Sequence, residues 1–222
     1  MAYPTAASLL KVYRNFKALE PTAWLPIVRF YERNEDDIRQ LDFDQFFDCL
    51  LTYTEALFQS GQSAKHLVMS EEVIRQIFAE NLTTWRGEDV FAQALFRKAA
   101  SHFNLDEIGR AEHVLRELIK IRPYDKNPQT LLFRCFRKEK PAFLKKSRIW
   151  AMLFFLIAVP GIAVDLFIVR PFFPIYERPA ELVWWTFFGF GLLALVIGDG
   201  WNYLHTRRQV GQIVRAARLK KK

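Results

Sequence analysis

Ligation, acid-base work and nucleophilic attack need particular side chains at particular spacings, and this chain offers few. Its four histidines are His66, His102, His113 and His205. None belongs to an HExxH or similar ligand set. His102 and His113 could share a metal only if their helices packed face to face; a buried or groove-lining histidine is the simpler expectation. Acidic residues gather at Glu32, Glu35, Asp36 and Asp37, followed by Asp42, Asp44 and Asp48. A calcium loop needs alternating carboxylates around a central glycine, and no glycine lies between Met1 and Ser60. The cluster therefore reads as a solvated turn, with Asp42 or Asp44 as the N-cap of the next helix. Glu112 and Glu117 are spaced wrongly to stand one above the other on a helix, and Arg110, Arg116 and Lys120 lie among them. Cys49 and Cys135 form no CxxC pair and read as reduced thiols on apolar faces. No Gly-rich phosphate loop and no GxSxG elbow occurs. The expectation is a protein without catalytic or metal residues and without a cofactor.

The charge distribution narrows the partners. Residues 1–133 carry 16 basic and 19 acidic side chains, a net of −3, whereas residues 134–222 carry 16 and 5, a net of +11. The basic excess thus belongs to the C-terminal part. Attraction of nucleic acid needs a basic face on the folded domain, so nucleic acid is excluded as the main partner. The first residues, MAYPTAASLLKVYRNF, lack the pattern of a secretory signal, and the N-terminal part is expected to stay in the cytosol.

The elements that must carry these residues are helices. Leu9, Leu10, Tyr13, Phe16 and Leu19 recur at spacings of three or four, and Glu20-Pro21 ends that pattern. Trp24, Ile27, Val28 and Tyr31 follow, with Pro26 in the first turn. Amphipathic helices are then predicted over 43–60, ended by Gly61, and over 64–80, ended by the break at 81–87. A second antiparallel pair covers 88–103 and 106–121, and a last short helix runs from Asn127 to Phe136.

Helical hairpins in tandem resemble tetratricopeptide repeats, in which each unit is helix, turn, helix. The best match is Leu95 to Pro123: Ala99 falls at the small position of the first helix, Ala111 and Leu115 at the small and large positions of the second, and Pro123 at the terminal proline. His102 stands where that family has tyrosine or phenylalanine. The pair before it matches through ALFQSGQ at 56–62, and aligning Phe58 with Phe103 gives an offset of 45 residues, longer than the usual repeat of about 34. An insertion around 81–89 accounts for the excess. The resemblance implies a short concave groove for a protein partner, with Leu95, Ala99, His102 and Phe103 as its candidate lining.

Two apolar runs set the location. Ile149–Val169 has 21 residues with one charge, Asp165, and Leu182–Leu204 has 23 residues with one charge, Asp199. About 20 apolar residues cross the hydrocarbon layer as a helix, and prolines 171, 174 and 179 prevent one continuous helix. The runs form a transmembrane hairpin. Seven basic residues precede the first run, among them Lys145, Lys146 and Arg148, and seven follow the second, beginning with Arg207 and Arg208; the connecting loop has only Arg170 and Arg178. Basic flanks stay on the cytoplasmic side, so both termini are expected in the cytosol, with a bacterial inner membrane preferred to a eukaryotic organelle membrane.

Basic residues at both ends of the hairpin also suit an anionic leaflet of the lipid bilayer. The tail, with Val210, Ile213, Val214 and Ala217 at helical spacing, reads either as a surface helix on that leaflet or as a frayed segment that only enforces topology. An acidic group at depth costs on the order of 3 kcal/mol. Asp165 and Asp199 lie at opposite depths of an antiparallel hairpin, so each needs its own partner, Arg170 or Arg178 for the first and Arg148 or the flank near Arg207 for the second. Ala194 and Gly198, four apart, offer a small-residue face through which a second copy could associate.

Together these features describe an all-α chain: a cytosolic tetratricopeptide-like domain over 1–137, a basic linker over 138–148, a two-span hairpin over 149–204 and a basic tail over 205–222. The function they favour is that of a membrane-anchored adaptor or scaffold that binds a protein partner. A small oligomeric subunit of a transporter or channel, working through Asp165 and Asp199, is the alternative.

Overall fold

The computed structural model describes residues 6–139, 142–169 and 177–220. Helices α1 (Ala6–Lys17), α2 (Trp24–Arg33), α3 (Glu35–Ile38), α4 (Phe43–Gln59), α5 (Ser63–Ala79), α6 (Val90–Asn104), α7 (Ile108–Ile121) and α8 (Lys126–Lys138) precede α9 (Ala142–Val164), which runs on as a π-helical turn Asp165–Val169, and α10 (Glu177–Lys220). The described residues are all-helical apart from connections and one isolated bridge between Trp85 and Glu88. The chain divides into two compact units, Met1–Cys135 with Ala216–Lys222, and Phe136–Arg215.

In the first unit α4 is central. Phe47, Cys49, Leu50, Tyr53, Ala56 and Leu57 are all buried, because α1 and α2 cover one side of the helix and α5 the other. Tyr31 of α2 stacks flat on Tyr53 at 4.0 Å, and Phe16 of α1 meets Tyr31 edge-on. Beyond α5 the helices pack in chain order, α5 on α6 and α6 on α7. Ala99 and Ala111 are fully buried there beside Leu115, Leu118 and Ile119; a methyl side chain lets two helix backbones approach closely.

Three successive helices stop in the same way. Gly61, Asn81 and Asp106 have φ of 75°, 50° and 64°, and the residue after each donates its N–H to the carbonyl five back: Gln62 to Leu57 at 3.0 Å, Leu82 to Ile77 at 2.9 Å and Glu107 to His102 at 2.9 Å. This left-handed cap satisfies carbonyls that the helix end would otherwise leave open. Asp42 is the N-cap residue of α4, as expected, but its side chain makes no capping bond. Asp89 does cap, accepting from Ala92 N–H at 2.9 Å at the start of α6.

Two helices are long and apolar enough to cross a membrane, within Arg148–Ile168 and Trp185–Lys220, with mean hydropathy 2.4 and 1.3. They run antiparallel: Phe155 meets Phe188 edge-on at 5.4 Å, Phe154 lies 6.3 Å from Phe187 and Phe190, and Arg148 at one end faces Asp199. A Cβ on Gly191 would lie 3.1 Å from the Phe155 ring, so glycine there is what admits the ring. Pro160 sits inside α9.

The tail differs from one of its two sequence readings, the frayed segment. It neither frays nor stands apart from the span, because α10 continues unbroken to Lys220. Within the first unit, the Arg218 guanidinium lies over the Tyr124 ring at 4.9 Å, a cation–π contact. That is why the last residues group with the N-terminal helices.

Candidate functional site

Among the described residues of the first unit a cavity of about 560 Å³ lies between α1, α2, α4, α5, α6 and the connection after α5. Its walls are mixed. Phe16, Leu19, Trp24, Ile27, Leu51, Val73 and Trp85 supply the apolar side; Lys17, Asp48, Glu55, His66, Ser70, Arg86 and Arg97 supply the polar one.

Asp48 organises one end. It lies between buried Phe47 and Cys49 on α4, and the groups that meet its carboxylate come from elsewhere in the chain. Lys17 Nζ of α1 lies 2.9 Å from Oδ2 and Arg86 Nη1 lies 3.1 Å from Oδ1, while the Tyr13 hydroxyl donates to Oδ2 at 3.1 Å. A buried carboxylate with three partners meets the requirement that buried charge be paired. Its charge in turn acts on its surroundings: burial, with the Asp48 charge second, raises the Tyr13 hydroxyl, and the same two causes push the Cys49 thiol up to about 12.

Arg86 reaches Asp48 from an unusual turn. Trp85 N–H donates to Glu88 O at 2.8 Å and Glu88 N–H to Trp85 O at 3.0 Å, which leaves Arg86 and Gly87 as the two central residues, with φ of 51° and 84°. Two central residues at positive φ are the signature of a type I′ hairpin turn. Gly87 adopts this freely; Arg86 does so against its Cβ. Trp85 anchors the turn, edge-on to Phe47 at 4.9 Å and to Phe43 at 6.3 Å.

The other polar group lies deeper. Glu55 and Arg97 form an ion pair, and the fully buried His66 shares a hydrogen bond of 2.8 Å between Nδ1 and Ser101 Oγ. Burial, and after it the Arg97 charge, lowers His66 to about 4, so the imidazole is neutral at physiological pH. Its Nε2 has no hydrogen-bond partner among the described residues, nor has the buried Trp85 Nε1.

The residues singled out in the sequence lie elsewhere. Leu95, Ala99, His102 and Phe103 share α6, but none lines the cavity. Ala99 is buried under α7, Leu95 and Phe103 are half-buried, and His102 Nδ1 meets Glu107 Oε2 at 2.6 Å across the α6–α7 turn, a bond that holds the Glu107 carboxyl below its ordinary range. His113 is exposed. Among the described residues no three His, Cys, Asp or Glu side chains gather as a metal site. In the hairpin, Asp199 Oδ1 lies 3.9 Å from Arg148 Nη2, one of the partners the spacing allowed, and Arg207 and Arg208 are exposed. The side chains of Lys145, Lys146, Asp165, Arg178, Ala194 and Gly198, and residue Arg170, lie outside the described residues.

Asp48 is the clearest departure from the sequence reading. Grouped with a solvated acidic stretch, it is in fact buried and ion-paired, because Lys17 and Arg86, at distant sequence positions, close over it. The only signal in the sequence was its place between apolar neighbours on a strongly apolar helix. Trp85 and Arg86 fall in a stretch that read as an interruption; a tryptophan in a polar connection was the available clue. Compared with known proteins, the chain matches no family model, and no curated protein or solved structure is similar enough to count as a match.

Proposed function

We propose that this chain is a membrane-tethered adaptor: a cytosolic domain of tetratricopeptide-like hairpins that receives a protein partner, held by a two-span anchor with both termini in the cytoplasm, in a bacterial inner membrane. The observation that carries this reading is the repetition of one hairpin cap. The first helices of the two proposed units, α4 and α6, close with left-handed residues Gly61 and Asp106, 45 positions apart, the same offset that aligns Phe58 with Phe103. Each pair packs on the next, as stacked hairpins must to cover their apolar faces. The anchor part rests on the two apolar helices and their basic flanks. The Asp199–Arg148 pair gives the second intramembrane acid a structural partner, which favours an anchor over an ion path.

The test uses the full chain in its own membrane, with a photo-reactive residue in place of Leu95 or Phe103. The expected result is a discrete adduct with one protein, absent when the same group replaces Phe167 of the hairpin. Equal adducts from all three positions, or none from the α6 positions, would defeat the reading.

A further inference from the structure

We infer that one exposed face of α10, formed by Leu193, Val196, Gly200, Leu204, Arg207 and Arg208, binds an anionic phospholipid, with the phosphate on the two arginines and an acyl chain along the apolar residues. This rests on the reading of the hairpin as a membrane anchor, which an extraction assay tests separately.

Helix geometry gathers these residues. Positions 193, 196, 200, 204 and 207 step by three or four, so they follow one side of the helix, and Arg208 borders it. All six are exposed, and a Cβ on Gly200 would meet nothing within 4 Å. The rise from Leu193 to Leu204 is about 16 Å, one leaflet's share of about 30 Å of hydrocarbon. Arg207 and Arg208 follow about 5 Å further on, inside a headgroup layer about 5–7 Å deep. They hold that level because α10 continues as helix through them to Lys220.

The aromatic residues mark the same level. Trp150 and Trp201 are each two residues from the Arg148–Asp199 pair, Tyr203 follows, and all three are exposed. Exposed Trp and Tyr gather where hydrocarbon gives way to headgroups.

Charge selects the lipid. Asp199 is met by Arg148, and no acidic residue occurs from Gly200 to Lys222. Among the described residues no ion pair engages Arg207 or Arg208. Arginine matches phosphate oxygens in charge and geometry, and the ammonium of a zwitterionic headgroup would be repelled by the same two cations. A water-soluble phosphate would gain nothing from the apolar track below them.

The test reconstitutes the full chain in phosphatidylcholine vesicles with a trace of phosphatidylglycerol or phosphatidylcholine spin-labelled on the acyl chain. Electron paramagnetic resonance reads the motionally restricted fraction of each label. Phosphatidylglycerol is expected to be favoured at least about fivefold, the size of one arginine's attraction. Arg207→Gln combined with Arg208→Gln should bring the ratio near one. Arg215→Gln, about 16 Å beyond Leu204 and so past a Debye length of about 10 Å, should leave it within about twofold, and excess inorganic phosphate should not displace the labelled lipid. Equal restriction of the two lipids, a preference that survives the double substitution, or one removed by Arg215→Gln or by inorganic phosphate would overturn the inference. Release of the chain from the vesicles by alkaline carbonate would overturn the anchor reading with it. A chain that resists release and shows no preference defeats this inference alone.

Discussion

The two units of this protein treat their large apolar residues differently. In the N-terminal unit many large side chains are covered: Tyr31, Phe47, Leu50, Leu115 and Leu132 are essentially inaccessible. In the hairpin it is the small ones. Ala151, Ala158 and Gly191 are buried, while Trp150, Met152, Leu156, Phe167, Trp185 and Trp201 face outward. Water drives the first pattern, since each apolar side chain removed from it gains free energy. In a membrane it could not drive the second, because a lipid tail solvates leucine as well as another helix does; there, close approach through small residues would hold the helices together. Helix content and apolar residues are common to both units, and what differs is which side of the helix the apolar bulk occupies.

Truncating bulk should separate the two patterns most sharply. Phe47→Ala is expected to destabilise the N-terminal unit by about 3–5 kcal/mol, the usual loss for a buried aromatic, whereas Leu156→Ala should leave the hairpin's helix packing intact. Hydrogen exchange of α4 and α9 in the full chain reads both. If the two substitutions prove equally costly, the contrast fails.

A second difference is that the N-terminal unit buries a titratable group in its interior. His66 is lowered to about 4 from an ordinary 6.5. Between these values the unfolded chain takes up a proton that the folded chain refuses, so stability is complete above pH 6.5 and falls as the pH drops towards 4. The full loss is on the order of 3 kcal/mol. Unfolding midpoints measured from pH 7 to 4.5 should show this fall, and His66→Gln should flatten it. An unchanged pH dependence in that variant would show that other groups cause the fall.

Adding bulk tests the hairpin in turn. Ala158→Leu should force α9 and α10 apart at a cost of about 1–3 kcal/mol, seen as reduced crosslinking between cysteines placed at Phe154 and Phe190. Smallest of all should be Asp199→Asn. Its pair with Arg148 is long, at 3.9 Å, so helix packing in the hairpin is expected to change by no more than about 1 kcal/mol, the scale of a weak ion pair. A marked loss there, measured by the same crosslink, would mean that the acid does more than pair with the flank.

Much of this was legible from residue order, for reasons specific to each element. The spacing of Trp24, Ile27, Val28 and Tyr31 predicts a one-sided helix, and those residues do face the core of α2. Gly61 marked the end of α4 because few other residues accept its φ of 75°. The two apolar runs were legible because length and composition alone meet the requirement for spanning. The cavity was not. Lys17, Asp48, Arg86 and Arg97 come from four separate segments, and nothing in their local spacing says that they converge. The tail was half legible: its helical periodicity showed, but its continuity with α10 depended on Leu204 to Arg208 remaining helical past the end of the apolar run.

The sequence by itself determined an all-helical chain, its two apolar helices and the sign of their flanks, since these follow from periodicity, length and charge within single segments. Only the tertiary structure decided that Asp48 is an interior acid instead of a surface one, that Arg86 is held in a left-handed turn above it, and that His66 lies on the wall of a cavity. Each of those depends on distant segments meeting, and the free energy of burying a charge is set by its neighbours in space, not by its neighbours in the chain.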